Sequence, residues 1–350
     1  MSTPTPINRA LAYLDSLPVD HELEKARALM VGYDLRWYKK YRFYKVIAVE
    51  EEFRFPLLNP ETEGMSKTFD EGGKIDAILQ HEDSGRYLVL EHKTTAESVA
   101  PDSDYWHRLA MDTQSSKYIL ALKQRGLDVG NLLHDVIKKP GSRPRQIPIL
   151  DSDGVKIVLD ANGERVKTKD GKKWRESAST GDGYVLQTRQ ETPEEYGARL
   201  EEEITSNLDD YFAQREVPRL DADLLEYMGD AWAQSQQILH YRRFNLWPRN
   251  PSACSLFGQC EFYDLCTGRA SVDGIRFREK GRKHSELEME EGERELLTNS
   301  RLTALRKCAR YHYHRYEKPI EPTKEESEAL RFGTLMHKAF EIYFKSMMVG

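Results

Sequence analysis

The chain has 350 residues, which is enough for one large hydrophobic core or two smaller ones. Hydrophobic residues make up 39% of it and charged residues 31%, a balance that is typical of a soluble globular protein, and no transmembrane stretch is evident. The formal net charge of −6 excludes a molecule that is basic throughout, so nucleic-acid binding would depend on local basic patches.

The first part of the chain is predicted as a helix followed by strands. Residues 8–40 carry apolar side chains at helical spacing, and residues 46–55 alternate as a strand does. Two short apolar runs, at residues 72–79 and 87–90, flank a charged, glycine-containing turn at residues 81–86. This pattern predicts a β-hairpin.

Three side chains of this hairpin indicate a chemistry. Asp76 lies on the first strand, and Glu91 and Lys93 project from one face of the second, because alternate strand residues share a face. Two carboxylates can hold a hard divalent cation, which lowers the pKa of a bound water and neutralises phosphate charge. A lysine can orient that water or stabilise the pentavalent phosphorus. The pattern indicates metal-dependent phosphodiester hydrolysis, although a solvated hairpin edge would also carry such residues.

The following segments are predicted, in order, as a helix, a strand, a charged insertion and two helices: residues 104–125, 131–137, 140–183, 192–212 and 221–241. Gln114 and Tyr118 are four residues apart and so lie on one helix face. The insertion carries Asp-Gly and Asn-Gly turns, and basic residues surround Trp174. Basic and aromatic side chains together suit single-stranded DNA, and they equally suit a solvated loop.

All four cysteines lie in the last 100 residues: Cys254, Cys260, Cys266 and Cys308. The sequence shows no signal peptide, so a reducing cytoplasm is expected and disulfides are not. Three thiols within thirteen residues then indicate a metal site. Zinc sites usually contain a Cys-x2-Cys pair, which is absent here, whereas iron–sulfur clusters accept other spacings. Zinc and buried cysteines without a metal are the alternatives.

These motifs resemble those of the RecB-like nucleases of the PD-(D/E)xK superfamily, notably the AddB-type and CRISPR-associated branches that carry a [4Fe–4S] cluster. Motif II, G-x-x-D, corresponds to the segment ending at Asp76, and motif III, (D/E)-x-K, to Glu91-His92-Lys93. The family's Q-x3-Y motif corresponds to Gln114 and Tyr118. Its cysteine trio has the spacing C-x2-C-x5-C, whereas this chain has five residues in both intervals.

The order of the motifs differs from that of the family. There, a lone cysteine and motif I, G-x-x-x-H, come first, whereas Cys308 and the segment Gly333 to His337 come last here. The resemblance therefore implies a circularly permuted chain in which residues 297–350 supply the front of the same domain. A second, truncated domain or exchange of the segment between two molecules are the alternatives. One copy of each motif favours permutation or its exchanged equivalent, and Met1 and Gly350 are then expected to lie close together.

The resemblance implies an α/β fold, a mixed sheet flanked by helices, with an iron–sulfur subdomain. The predicted parts are a nuclease core, a cysteine segment, a charged linker and a helical segment: residues 1–250 with the insertion at 140–183, 251–268, 269–296 and 297–350. Asp76, Glu91 and His337 would bind Mg²⁺ or Mn²⁺, with the His92 carbonyl as a further ligand. Lys93 would position the water, Gln114 and Tyr118 would orient the lysine or the substrate, and the four cysteines would bind the cluster.

The implied activity is a metal-dependent deoxyribonuclease, with an exonuclease acting on DNA ends or single strands as the leading form. Its setting would be recombination, repair or phage DNA processing, with a helicase or recombination protein as partner and no membrane. The alternatives are a non-catalytic DNA-binding subunit of the same fold and a zinc-stapled endonuclease. The presence of Asp76, Glu91 and Lys93 together argues against the non-catalytic subunit, because a decayed site normally loses one of them.

Overall fold

The computed structural model describes residues 5–179, 181–256, 258–272, 274–279, 292–323 and 328–348. The helices of this described chain are α1 (Pro6–Asp15), α2 (His21–Tyr41), α3 (Asp104–Ala110), α4 (Thr113–Gln124), α5 (Pro193–Ser206), α6 (Leu208–Tyr211), α7 (Asp221–Phe244), α8 (Tyr263–Cys266), α9 (Asn299–Lys307), α10 (Ala309–His312) and α11 (Glu328–Met348). The strands are β1 (Tyr44–Leu58), β2 (Met65–His81), β3 (Tyr87–Thr95), β4 (Asn131–Lys138), β5 (Gln146–Pro148), β6 (Val158–Leu159), β7 (Val185–Leu186), β8 (Thr188–Gln190), β9 (Phe212–Pro218), β10 (Phe277–Glu279), β11 (Glu295–Leu297) and β12 (Ile320–Pro322). A 3-10 turn (Pro251–Cys254) and a π-helical turn (Tyr313–Glu317) lie in the C-terminal third.

A mixed sheet in the order β1-β2-β3-β4-β9 forms the centre of the molecule. Its neighbours are antiparallel except β3 and β4, which are parallel. The sixth strand, β11, pairs in parallel with the first half of β2. It lies on the same side of β2 as β3, which pairs with the second half of β2. The predicted hairpin of β2 and β3 and the predicted mixed sheet flanked by helices are therefore confirmed.

Helices cover both faces of the sheet, because alternate residues of each strand point to opposite sides. Leu79 and Leu90 pack on one face beneath α1, α2, α5 and α11. Ile78 and Val89 pack on the other face beneath α4 and α7. The N-terminal helices and the C-terminal helix thus share one core, with α1 packed along α11. Met1 and Gly350, which were expected to lie close together, are outside the described residues.

Capping side chains divide two segments that the sequence predicted as single helices. The Asp20 carboxylate accepts the backbone N–H of Leu23 and begins α2, after a break that contains Pro18. The Asp112 carboxylate accepts the backbone N–H of Gln114 and begins α4 two residues after α3 ends. Each aspartate satisfies an N–H that a continuous helix would bond within itself. The cap at Asp112 also fixes the first turn that carries Gln114.

A buried lysine joins the C-terminal segment to the core. Lys117 of α4 is fully buried, and its Nζ donates to the backbone carbonyl of Leu297 at 2.6 Å. The same Nζ lies 3.3 Å from Glu71 Oε2 on β2, which also accepts the hydroxyl of Tyr227 from α7. Burial lowers the pKa of Lys117. Four elements, α4, α7, β2 and β11, therefore meet at one buried ion pair.

Replacing Lys117 with methionine is expected to lower the free energy of unfolding by about 3–5 kcal/mol, because the Glu71 carboxylate would stay buried without a cation. Urea denaturation followed by circular dichroism measures this change. Lys123→Met on the same helix is the matched control: Lys123 pairs with a largely exposed Asp221, so the expected cost is below about 1 kcal/mol. Equal losses in the two variants would contradict the role given to the buried pair.

A buried histidine makes the C-terminal part sensitive to acid. The ring of His312 is fully buried and stacks on Trp247 at 5.5 Å between ring centroids. Arg301 Nε donates to its Nε2 at 3.4 Å. Burial, together with the charges of Arg301 and Arg242, lowers the pKa of His312 to about 3. The unfolded chain therefore binds a proton below pH 6.5 that the folded chain does not bind.

The free energy of unfolding is expected to fall on acidification, with His312 contributing about 2 kcal/mol of the loss between pH 7 and pH 5. His312→Gln should flatten this pH dependence. Denaturant melts at both pH values, with His107→Gln as the control, measure it, since the His107 side chain is 76% exposed. An unchanged pH slope in His312→Gln would show that the ring titrates normally.

Candidate active site

The hairpin of β2 and β3 brings the predicted Asp76, Glu91 and Lys93 close together. The backbone N–H of His92 donates to Asp76 Oδ2 at 2.8 Å, which holds that carboxylate across from β3. Lys93 Nζ donates to Glu91 Oε1 at 2.8 Å, from the same face of β3. Asp76 and Glu91 are close enough that the charge of Glu91 acts on Asp76. The two carboxylates and the lysine therefore form one group.

The predicted Gln114 and Tyr118 hold the lysine. Lys93 Nζ donates to Gln114 Oε1 at 2.7 Å. Gln114 Nε2 donates to the Tyr118 hydroxyl at 2.6 Å, and that hydroxyl donates to the backbone carbonyl of Lys74 at 2.6 Å. Because Lys74 is two residues before Asp76 on β2, this chain of hydrogen bonds ties the position of the ammonium group to the strand that carries the first carboxylate.

His337 reaches the same point from α11, at the other end of the sequence. Its Nδ1 lies 3.9 Å from Asp76 Oδ1. Ligand atoms of Glu50, Asp76 and His337 all lie within 4.8 Å of one another. The His337 side chain is 46% exposed, so a ligand beside it can be reached from solvent. The predicted trio of Asp76, Glu91 and His337 does not form such a set among the described residues, so α11 brings its imidazole to Asp76 and Glu50.

Glu50 was not predicted from the sequence. It lies on β1 between Val49, which pairs with Ala77, and Glu51, which pairs with Ile75, so it is opposite Asp76. Its backbone φ of 55° is in the left-handed region, which residues other than glycine rarely adopt. Its carboxylate accepts from Lys74 Nζ at 2.8 Å. Glu50 could be identified only from the register of β1 against β2, and the sequence motifs do not specify that register.

The ionisation of the group favours a bound cation. Burial and the nearby Glu91 carboxylate raise the pKa of Asp76 well above its usual range. Burial and the neighbouring His92 lower the pKa of His337, which keeps the imidazole neutral and able to bind a metal. Burial opposes the charge of Lys93, but the Glu91 carboxylate outweighs it and raises the pKa of the lysine. A divalent ion would relieve the repulsion between the carboxylates.

The donor set fits a hard divalent metal. Glu91 Oε2 is buried and accepts no hydrogen bond from the part of the chain that the structure describes. Buried carboxylate oxygens are normally satisfied, and a metal ion would satisfy this one. Carboxylate oxygens with one neutral imidazole suit Mg²⁺ or Mn²⁺. Such an ion, when bound, would lower the pKa of a coordinated water and neutralise phosphate charge.

The side chain of His92 packs away from this group. Its ring stacks on Phe340 of α11 at 4.3 Å between centroids, with an interplanar angle of 11°. Its Nδ1 lies 3.1 Å from Oδ2 of the fully buried Asp135, which also accepts from Gln214 Nε2 at 2.9 Å and from Tyr33. Only the backbone of His92 is therefore available to a metal, in keeping with the predicted role of its carbonyl.

The four cysteines line one cavity of about 440 Å³. Cys254 ends the 3-10 turn, Cys266 ends α8, Cys260 lies in the loop between these two elements, and Cys308 lies between α9 and α10. The backbone N–H of Asn250 donates to Cys308 Sγ at 3.3 Å. Burial raises the pKa of Cys260 and of Cys266. Among the described residues, no three of the sulfurs lie within 4.8 Å of one another.

The aromatic residue of the insertion is occupied by its own neighbours. Arg165 lies 4.4 Å and Lys167 5.2 Å from the centroid of the Trp174 ring. Arg165 also pairs with Asp151 at 2.7 Å. These contacts place basic and aromatic side chains of the insertion together, the combination on which both the solvated-loop and the DNA-stacking interpretations depend.

Comparison with known proteins agrees with this geometry. No helix within the described ranges is both long and apolar enough to cross a membrane. No curated protein matches the sequence. The sequence model of the PD-(D/E)XK nuclease superfamily matches residues 8–267 and 297–349. These two segments include all the residues of the group described above and leave out residues 268–296. The chain therefore belongs to the PD-(D/E)XK nuclease superfamily.

Proposed function

We propose that this protein is a metal-dependent DNA nuclease of the RecB-like type, and that its active site comprises Asp76, Glu91, Lys93 and His337. One observation carries the proposal: His337 Nδ1 lies 3.9 Å from Asp76 Oδ1, beside a lysine that bridges Glu91 and Gln114. A solvated hairpin edge has no reason to gather these groups from three separate parts of the chain.

Each residue has a role that its surroundings support. Asp76, Glu91 and His337 would hold Mg²⁺ or Mn²⁺, with the Glu50 carboxylate beside them and the His92 carbonyl as a further ligand. Lys93, fixed between two acceptor oxygens, has a free donor with which to orient the attacking water or to stabilise charge on the phosphorus. Gln114 and Tyr118 keep the ammonium group in that position. These three roles together account for phosphodiester hydrolysis.

The finer activity that we propose is exonucleolytic cleavage at DNA ends or on single strands, in recombination, repair or phage DNA processing. The RecB-like order of motifs II and III and the Q-x3-Y helix supports this form. A helicase or recombination protein would then supply the single strand. Cytoplasmic action is part of the same proposal.

We infer that the chain is circularly permuted. The packing of α11 on α1 and α2, and of β11 on β2, within one molecule supports permutation over exchange between molecules. The family match to both segments supports one domain over a second, truncated one. In this arrangement residues 1–250 and 297–350 form one nuclease core, which the linker at 269–296 connects.

A nuclease assay with end-labelled single-stranded and double-stranded DNA tests the proposed function. Cleavage is expected with Mg²⁺ or Mn²⁺, and no cleavage is expected with EDTA. An exonuclease should release short labelled products if it starts at the labelled end, and should shorten the labelled strand progressively if it starts at the other end. Internal cuts in a circular single strand would identify an endonuclease instead. Binding without cleavage under all metal conditions would identify the non-catalytic subunit and overturn the proposal.

We also propose that the cysteine cavity binds a [4Fe–4S] cluster that links the core to the C-terminal segment, since metal ligation contributes folding free energy directly. Cys308→Ala is expected to lose as much iron and acid-labile sulfide as Cys260→Ala. Absorbance at roughly 400 nm and metal analysis measure the loss. Ser252→Ala, in the 3-10 turn that carries Cys254, is the control. Full iron content in Cys308→Ala would exclude Cys308, and stoichiometric zinc would favour the zinc alternative.

A further inference from the structure

A second cavity, of about 520 Å³, lies between β2, α4 and α9, and we call it the α9 cleft. At one end it is lined by Lys74, Gln114 and Tyr118, the residues whose hydrogen bonds hold Lys93. At the other end it is lined by Lys307 and Tyr311, which also line the cysteine cavity. The cleft therefore extends from the candidate active site to the cysteine-bearing part of the molecule.

The lining of the α9 cleft is cationic, although the chain has a net charge of −6. Its described lining includes no aspartate or glutamate and four lysine or arginine side chains, Lys74, Lys117, Lys307 and Arg315. Three of them pair with carboxylates outside the lining: Lys74 with Glu50, the fully buried Lys117 with Glu71, and Arg315 with Glu261. Among the described residues Lys307 pairs with no carboxylate; its Nζ lies 4.5 Å from the centroid of the Tyr311 ring instead. Lys307 is therefore the lining cation that is available to an anion in this cleft, whose own lining carries no carboxylate.

The arrangement of polar side chains along α9 indicates that the ligand is a polymer. The polar side chains Asn299, Thr303 and Lys307 of α9 repeat every four residues and line the same cleft, so they form one continuous row. Such a row offers hydrogen-bond donors along a phosphate backbone. Tyr311 adds an aromatic ring at the far end, and an aromatic ring stacks on a base only where the base is not stacked within a duplex.

We propose that the α9 cleft binds the single-stranded part of a DNA substrate, with phosphates along Thr303 and Lys307 and a base against Tyr311. The strand then reaches Lys93 from the side of the cysteine cavity. This inference rests on the proposed nuclease function, because it identifies the strand that the active site would cut.

A pair of substitutions at one exposed position tests it. Thr303→Glu places a carboxylate in the cleft, and Thr303→Gln places a neutral side chain of the same size there. Binding of a fluorescent oligothymidine to the full chain is measured by anisotropy in EDTA, so that no cleavage is required. Thr303→Glu is expected to weaken binding about tenfold, while Thr303→Gln stays within about twofold of the wild type.

Lys307→Gln tests the phosphate contact separately. It is expected to weaken binding and to lower the slope of log affinity against log salt by about 0.7, the value for one phosphate contact on a single strand. Lys45→Gln, which removes an exposed lysine of β1, should change neither quantity. An unchanged salt slope in Lys307→Gln would overturn the assignment of this lysine.

The outcomes separate this inference from the proposed function. If the wild type cleaves DNA but Thr303→Glu and Thr303→Gln bind the oligonucleotide equally well, the α9 cleft is not the path of the strand. Equal weakening of duplex binding by Thr303→Glu would also overturn it. If the wild type cleaves no DNA with either metal, the proposed function is wrong, whatever the binding results.

Discussion

Replacing Lys93 with alanine is expected to abolish DNA cleavage, a loss of at least about a thousandfold, without unfolding the protein. The ammonium group is held in place by its hydrogen bonds to Glu91 Oε1 and Gln114 Oε1. In the proposed site it supplies the positive charge that faces the phosphate, and the substitution removes that charge. Asp76→Ala and Glu91→Ala are expected to have the same effect, because each removes a metal ligand. Cleavage of end-labelled DNA and thermal melting of each variant measure activity and folding separately.

The isosteric variant Asp76→Asn separates catalysis from stability most sharply. Burial and Glu91 raise the pKa of Asp76, which means that its charged form destabilises the metal-free fold. An asparagine still accepts the backbone N–H of His92, so the melting temperature in EDTA should equal or exceed that of the wild type. Cleavage should nevertheless be lost.

Two controls limit the interpretation of these variants. Lys45→Ala, purified in the same way, should cleave DNA at the wild-type rate, since Lys45 is exposed on β1. Full activity in Lys93→Ala, with contaminating nucleases excluded, would remove Lys93 from the active site. Activity in Asp76→Ala but not in Lys93→Ala would show that the metal is held by other residues.

The parts of the site that the sequence predicts are the local ones. Strand alternation alone places Glu91 and Lys93 on one face, and a spacing of four alone places Gln114 and Tyr118 on one helix face. The structure places both pairs in this way, and it joins them through the bond from Lys93 to Gln114. No tertiary information was needed for these relations, because each depends only on the period of one element.

The parts that the sequence does not predict depend on contacts between distant elements. Glu50 enters the group only through the register of β1 on β2, and Lys117 is buried only because Glu71 and Leu297 approach it from other parts of the chain. Strand β9 was not predicted, and the helix predicted over residues 192–212 ends at its first residue, Phe212. Pairing with β4 determines the conformation of its seven residues.

Deleting residues 297–350 is expected to give an insoluble or inactive protein, because the segment completes the core in the same molecule. Helix α11 buries four aromatic side chains there: Phe332, Phe340, Tyr343 and Phe344. At about 1.5–3 kcal/mol for each buried side chain, their loss approaches the whole net stability of a typical domain, about 5–15 kcal/mol. The deletion also removes Cys308 and His337. A soluble, fully active fragment of residues 1–296 would show that the segment is a separate domain.

Mixing two inactive variants distinguishes permutation from exchange between molecules. His337→Ala and Asp76→Ala each lack one residue of the proposed metal site, on opposite sides of the 3.9 Å contact. If the C-terminal segment stays with its own chain, every site in the mixture lacks one residue and activity is not restored. Restored activity, up to about a quarter of the sites, would require segments that exchange between molecules.

A chain with its order restored tests permutation directly. It would begin within residues 268–296, which the family match leaves out, continue to Gly350, and pass through a short glycine–serine linker to Met1 and on to the break. Because α1 packs along α11, this chain is expected to fold and to cleave DNA with the same metal requirement as the original. Circular dichroism and the end-labelled DNA assay measure both properties. A reordered chain that fails to fold while the original folds would contradict a permuted single domain, because the only new covalent connection is the one that permutation predicts to be tolerated.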